Sequence, residues 1–387
     1  MSKNNRLPIV ISIVISLTAV TAAVVLFFQN QTVSTSYSAD RSSKEKLIES
    51  LNLKITELES EDQRQKNASL SSEISQIHDT YLKSLTAYEA LSDLKAYSKT
   101  VSKLDESYAR ILNYLAAKNY ASASALITTL NSDIASEKQK TVTAAAPVIT
   151  APQSNTPPGS GFSRQTVSSD AGNFTVSLVA ADLSSTKVYV DTASSGDCGN
   201  NCPVLPLATY VTRNNAFAAV NGSYFCPSTY PTCAGKTNSF DLLVMNKNKT
   251  YFNSSNNVYS SNPAVIFGGG YIRFVSSASQ WGRDTGVDSV LSNYPLLVSG
   301  GSVVFGGDAD PKSGSKGGRS FVGNKGNIVY IGVVHSATLI ESARTLKALG
   351  LENALNLDDG GSTALWSGGY KLGPGRDLPN AILFVKK

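Results

Sequence analysis

The chain of 387 residues is too long for one typical domain and points to two or three. Its net charge of +5 is evenly spread: residues 1–165 carry 17 Lys/Arg against 15 Asp/Glu, and residues 166–387 carry 17 against 14. Neither half has the basic concentration of a nucleic-acid binder, and no strand-like stretch alternates aromatic with basic residues, so nucleic acid is set aside as a partner.

Lys3 and Arg6 precede an uncharged, almost unbroken apolar run from Ile9 to Phe28. As a helix rising about 1.5 Å per residue, this run spans roughly the ~30 Å hydrocarbon core of a bilayer. The basic residues lie before it, which keeps residues 1–8 as a cytoplasmic tail and places everything after the 9–28 anchor outside. A cleaved signal peptide is the competing reading. The apolar run continues through Val24–Phe28 with no small-x-small site just after it, which favours an uncleaved anchor. The expectation is a single-pass protein of the cell membrane with its C-terminal domain on the extracytoplasmic side.

Residues 40–140 contain no Gly or Pro and are rich in Leu, Ala, Glu, Lys and Ser, a composition that suits helix. Leu94, Tyr97, Val101, Leu104, Tyr108, Ile111 and Leu115 alternate three and four apart, which is heptad spacing. Leu70, Ile74, Ile77, Tyr81, Leu85 and Tyr88 keep a similar stripe upstream. A break near Lys118-Asn119-Tyr120 precedes Leu126, Ile127, Leu130 and Ile134, read as a helix folding back. The pattern fits a helical stalk, as a coiled coil or a hairpin bundle, with self-association as one outcome. Residues 141–165 are rich in Pro, Ser and Thr without hydrophobic period, so an extended linker is expected there.

From residue 166 to 387 short β-branched or aromatic stretches alternate with Gly, Asn, Ser and Asp turns. All four cysteines lie here, Cys198 with Cys202 and Cys226 with Cys233 at close spacing. Zinc is one reading, but neither pair is CxxC and the only histidines are His78 and His335. Two short disulfide loops, Cys198–Cys202 and Cys226–Cys233, suit an oxidising compartment better.

One helix stands out in this half. Thr338-Leu-Ile-Glu341 reads as a capping box, which makes Glu341 a cap rather than a catalyst. Strand 328–334, helix 338–349 and strand 354–357 together predict a βαβ unit with parallel strands. The fold class is therefore α+β, a mixed sheet with a βαβ unit near the C-terminus, behind a helical stalk and one transmembrane helix. Asp358 and Asp359 leave the second strand at its carboxyl end, where open sheets usually bind ligands, and Gly360, Gly361 and Ser362 follow with potential N–H and O–H donors. His335 leaves the first strand at the same end and is expected to face the same cleft. Successive strand residues point to opposite faces, so one aspartate should face a ligand. The other would cap, bind a divalent cation or tune its neighbour's pKa. No cofactor motif is evident.

Four stretches occur in the order and at the rough spacing of the phosphodiester glycosidase family: Phe217-Ala-Ala-Val-Asn-Gly-Ser-Tyr-Phe225, Tyr294-Pro-Leu-Leu-Val-Ser-Gly-Gly301, Gly318-Arg-Ser320 and Leu355–Thr363. The chain from about Val167 to Val385 resembles that family. The resemblance implies hydrolysis of the bond between a sugar's anomeric carbon and a phosphodiester oxygen. Cleavage develops positive charge on the sugar and negative charge on the departing phosphate, which call for a carboxylate and an anion clamp respectively. On that basis Asp358 is the first candidate carboxylate and Arg319 the candidate phosphate clamp, while Asn221 and Gly222 match a family motif and would orient a sugar hydroxyl.

The chain departs from the family at Asp359, where a glycine is common, and at Val334-His335-Ser336, where a carboxylate-containing turn is common. A histidine there would work as acid or base near neutral pH, or be buried and structural. Asn221-Gly-Ser223 is also a glycosylation sequon, and a glycan on it would obstruct the site. The leading functional expectation is a membrane-anchored, exported glycosidase acting on glycosyl-1-phosphodiesters in surface polysaccharide or glycoconjugate. The alternatives are a catalytically inert glycan- or wall-binding module on a stalk, and a scaffold whose function lies in the stalk itself.

Overall fold

The computed structural model describes residues 7–60, 63–95, 98, 101–144, 151–255 and 260–387. Most of the tail expected over residues 1–8, Tyr97 of the apolar stripe and residues 145–150 of the linker lie outside them. The chain divides into two compact units, Met1–Ile77 and His78–Lys387. The first contains α1 (Leu7–Ser60), an uninterrupted helix of 54 residues. Its apolar part is long enough to cross a membrane, and side chains such as Leu17, Val20, Phe27 and Phe28 are exposed along it.

The second unit begins within α2 (Gln63–Lys95) and continues through α3 (Ser102–Ala116) and α4 (Tyr120–Ala144). Ala87, Leu91 and Leu94 of α2 bury against Leu104, Ile111 and Leu115 of α3 and Ala123, Ile127, Leu130 and Ile134 of α4. These three segments form a small bundle. The break read at Lys118 is present, with Lys118 at φ 57° between α3 and α4. Between the end of α2 at Lys95 and the start of α3 at Ser102 the sequence has no Gly or Pro, yet α3 lies back along α2. Tyr108 meets Ser84 and Tyr88, and Asp105 meets Lys95, which lets the heptad stripe bury itself.

The segment read as linker is partly tied down. Gln153 bridges Thr166, and the Gln165 side-chain amide donates to the carbonyls of Ser154 at 2.8 Å and Thr156 at 2.9 Å. Strand β1 begins only a few residues later, so residues 151–156 run along its edge.

Three antiparallel sheets build the rest. The first runs in the order β1 (Gly161–Ser169), β2 (Gly172–Asp182), β13 (Ile328–Ala337), β12 (Gly317–Lys325), β14 (Asn353–Asn356), β10 (Leu296–Ser299) and β11 (Ser302–Val303). The second runs β16 (Tyr370–Leu372), β15 (Leu365–Ser367), β4 (Ala218–Asn221), β17 (Asn380–Lys386) and β3 (Thr186–Thr192). The third is smaller: β6 (Tyr251–Phe252), β5 (Val244–Met245), β9 (Ser289–Ser292), β7 (Ala264–Phe267) and β8 (Ile272–Val275).

Period-two alternation sets the layers. Along β2, Val176, Leu178 and Ala180 face the helix Leu339–Ala348, whereas Val179 and Ala181 face the central core between the sheets. Val220 of β4, Leu365 of β15 and Ile382 of β17 close that core from the second sheet. The second sheet's outer face is covered by the helix Leu207–Asn214. The helix Leu339–Ala348 carries the expected capping box, with Thr338 and Glu341 satisfying each other's backbone N–H.

The fold class is α+β, and the expected βαβ unit has one amendment. Strands β13 and β14 are parallel, but β12 lies antiparallel between them and pairs with both. The two strands are therefore about 10 Å apart, two strand spacings rather than one. Both disulfides form locally, Cys198 with Cys202 and Cys226 with Cys233.

Candidate active site

Asp358 stands where the two large sheets meet. Its N–H donates to the Gly222 carbonyl at 2.8 Å, and its own carbonyl accepts from the Asn221 side-chain amide at 2.6 Å. Asn221 sits at the end of β4 and is fully buried. Its Oδ1 also accepts from Ser320 Oγ at 2.9 Å and from Ala364 N at 3.1 Å. Both ends of this amide therefore hold backbone from several strands together, and the sequon it begins is buried. Gly222 is a glycine for a steric reason: a Cβ there would run into the side chain of Asn380. Asn380 in turn accepts from Ser223 N and donates to Ser223 Oγ, both at 2.9 Å.

The two aspartates diverge, as alternation requires. Asp359 turns to Arg319: Nη1 donates to its Oδ2 at 3.0 Å, Asn356 Nδ2 donates to the same oxygen at 3.0 Å, and Ser320 N donates to Oδ1 at 2.9 Å. Burial raises the Asp359 pKa, and Arg319 works against that rise. Arg319 is itself buried, with Nε on the Ala337 carbonyl at 2.9 Å and Nη2 on the carbonyls of Lys312 and Ser315. The phosphate clamp expected of Arg319 is thus replaced by a cross-brace, its guanidinium committed to Asp359 and three carbonyls.

Asp358 has a different environment. Its carboxyl accepts from Asp359 N at 2.9 Å and is hydrogen-bonded to Ser362. Burial is the main force lifting its pKa from the ordinary 3.8 to about 8, and the Asp359 charge adds to it. The Ser362 hydrogen bond and the Lys312 charge pull the other way. Gly360–Ser362 forms a 3₁₀ turn beneath it, and Gly360 takes φ +63°, a conformation that glycine adopts without strain.

His335 is not brought to Asp358. It lies on β13 with its Nε2 2.9 Å from Ser177 Oγ of β2, on the far side of β12 from Asp358. Burial depresses its pKa to about 4, helped by Arg164, so the ring is neutral at pH 7. The intervening strand explains why the two do not share a cleft.

The structure adds residues that the sequence patterns passed over. Tyr224 OH accepts from Asn356 Nδ2 at 2.7 Å, and burial together with the charges of Asp359 and Asp358 holds its pKa well above the ordinary tyrosine value. Tyr230, inside the Cys226–Cys233 loop, has its pKa raised by burial and by the charges of Asp358 and Glu89. Lys312 Nζ lies 4.8 Å and the Arg376 guanidinium 5.0 Å from the Tyr230 ring centroid, within cation–π range. Arg376 N donates to the Gly361 carbonyl at 2.8 Å, and its guanidinium occupies the space a Gly361 side chain would need. Only Tyr224, next to Asn221-Gly-Ser223, and Asn356, just before the aspartates, lay in a motif that could have flagged them. Among the described residues no group of three or more His, Cys, Asp or Glu is placed to hold a metal ion.

No curated protein matches the chain. Solved structures that resemble it include a hypothetical protein from Synechocystis, at 14% identity over 58% of this chain and 62% of that one, with a TM-score of 0.42. The chain thus spans less than two thirds of that protein. Another is the zebrafish N-acetylglucosamine-1-phosphodiester alpha-N-acetylglucosaminidase catalytic domain, auto-inhibited by its pro-peptide, at 18% identity over 62% of this chain and 87% of that one, TM-score 0.46. A third is a protein from Burkholderia pseudomallei, at 12% identity over 55% of this chain and 74% of that one, TM-score 0.35. The segment from Asn214 to Val385, which holds Asn221, Arg319 and both aspartates, matches the family described as phosphodiester glycosidase, and the resemblance read from the four motifs stands for the C-terminal half of the chain.

Proposed function

We propose that this chain is a membrane-anchored, exported glycosidase that hydrolyses the sugar–phosphate bond of glycosyl-1-phosphodiesters in surface polysaccharide or glycoconjugate. The observation that carries the proposal is Asp358: a buried carboxyl tuned to about 8, in a segment that matches the phosphodiester glycosidase family. The apolar helix α1 supports the anchor, and the two disulfides support a domain on the extracytoplasmic side.

In this reaction the anomeric C–O bond breaks, its electron pair leaves on the phosphate oxygen, and water supplies the hydroxyl that the sugar gains. A phosphate monoester has its second ionisation near pH ~6, so it departs near neutrality with little help from a general acid. The demand falls on a carboxylate at the sugar and on donors around the phosphate. Asp358 in its ionised form meets the first, as stabiliser of the developing cation, nucleophile or base. The N–H groups of Gly360 and Gly361 supply donors for the second, while the Ser362 hydroxyl donates to the Asp358 carboxylate. Asp359 is held by Arg319 beside Asp358, and Asn221 and Gly222 position the Asp358 backbone.

Full-length protein in detergent should release free sugar from a panel of glycosyl-1-phosphodiesters, and Asp358→Asn should abolish the release. Undiminished turnover in that variant would remove Asp358 from the mechanism. Binding of glycan by both proteins without turnover would instead favour the inert module, a reading that the chain's departures from the family at His335 and Asp359 support.

A further inference from the structure

The helical bundle reaches the site through two acids on α2. Glu89 and Asp93 are four residues apart, one helical turn, and so lie on the same face. Both are buried, at 3% and 7% exposure, although charged residues on a helix ordinarily face solvent. Asp93 is ion-paired with Arg376, accepts from Tyr230 OH at 2.9 Å, and takes the Gly361 N–H at 3.4 Å. Its Oδ2 lies 2.9 Å from where a Cβ on Gly360 would stand. Glu89 accepts from Lys312 Nζ at 2.7 Å and from Thr232 Oγ1.

Two cations, two hydroxyls and a backbone amide therefore converge on two carboxylates, and this cluster adjoins Asp358. Lys312 is among the charges acting on the Asp358 carboxyl, and Asp358 among those acting on Tyr230. Set against the glycine turn beside Asp358, such a cluster is a built anion site with an anion in it. The carboxylates fill the space above the glycine turn and would repel a phosphodiester carrying the same charge.

We infer that Lys312, Arg376, Tyr230 and Gly361 form the phosphate subsite of this protein, and that Glu89 and Asp93 of α2 occupy it as an internal competitor, so the bundle must lift before substrate enters. The identity of the substrate rests on the glycosidase reading; the anion subsite and its occupation do not. The competition makes phosphate affinity depend on the fraction of open molecules.

The test uses full-length protein and inorganic phosphate as the probe. Calorimetric titration of Glu89→Ala/Asp93→Ala should give an affinity at least roughly tenfold above that of the unaltered chain, the change expected if about nine molecules in ten are closed. Adding Arg376→Gln to that variant should cancel the gain. Alanine preserves the helix. A second measurement needs no variant: saturating phosphate should speed amide hydrogen exchange across residues 80–95 of the unaltered chain, because phosphate and α2 exclude each other. Equal phosphate affinities, or exchange that phosphate leaves unchanged, would overturn the inference. So would sugar release that falls in the double variant, since the two acids would then belong to the catalytic machinery. Tighter phosphate binding in a protein that never releases sugar would leave the subsite standing and remove the glycosidase reading alone.

Discussion

Replacing Asp358 with asparagine should stabilise the protein while destroying its activity, and the size of the effect follows from the site. Burial, with the Asp359 charge adding to it, lifts the Asp358 carboxyl to about 8, against 3.8 for the ordinary side chain. Between these values the native state keeps a proton that the unfolded chain has lost. The stability linked to that proton is fully present below pH ~4 and is lost as pH rises towards ~8, at about 1.4 kcal/mol per unit. At pH 7 the accumulated loss is at most about 4 kcal/mol, and at pH 5 between 1 and 2. Asparagine has no proton to lose. It keeps an oxygen for the Asp359 N–H but presents an amide to Ser362, so about 1–3 kcal/mol of that loss should be recovered at pH 7. For a domain of this size that raises Tm by about 3–10 °C. Both tryptophans, Trp281 and Trp366, lie in the β domain, so their fluorescence follows its melting without signal from the helices. The gain should grow from pH 5 to pH 8. A gain that is flat with pH, or a loss of stability at pH 8, would refute the burial argument for Asp358.

Three further outcomes follow from the same geometry. If the ionised form of Asp358 does the work, kcat/KM for sugar release should rise with pH towards an apparent pKa near 8; a decline across that range would make the carboxyl a proton donor. Arg319→Ala leaves Asp359 buried without its cation, so chemical denaturation should report a loss of about 3–5 kcal/mol, and a loss below 1 would show that the brace is dispensable. His335 is held neutral with its pKa near 4 against an ordinary 6.5, so it should erode stability as pH falls from 6.5 to 4; in His335→Gln that part of the acid slope should vanish, and a slope unchanged from the parent would count against it.

Local signals in the chain carried a good part of this fold. The Thr338/Glu341 capping box, the break at Lys118 and the close cysteine pairs are each written in a few adjacent residues, and each is present. What escaped depends on partners distant in sequence. Nothing near β13 or β14 says that β12 will insert between them, and that insertion separates His335 from Asp358. The packing of α3 back on α2 follows from burial of Leu104 and Ile111 against Leu91 rather than from a breaker residue. Arg319 next to glycines reads as a free cation until the Asp359 carboxylate, 40 positions away, is seen on it. Lys312 and Arg376 lie in short stretches rich in Gly and Pro, and Glu89 and Asp93 look like the solvated face of a helix. Only folding brings these four together.

The charges at the site bind these observations into one balance. Glu89, Asp93, Asp358 and Asp359 face Lys312, Arg319 and Arg376, so four acids share three cations. Three acids are ion-paired, and Asp358 is the one left over; buried and beside Asp359, it keeps its proton. Lifting α2 removes two acids and frees Lys312, whose charge already favours the ionised form of Asp358. Opening the subsite and readying the carboxylate are then one event. In Glu89→Ala/Asp93→Ala the pH profile of sugar release should therefore move to lower pH by about one unit, the scale on which a nearby cation acts on a carboxyl. A profile that stays in place or moves upward would show that Lys312, once released, swings into solvent and leaves Asp358 governed by burial alone.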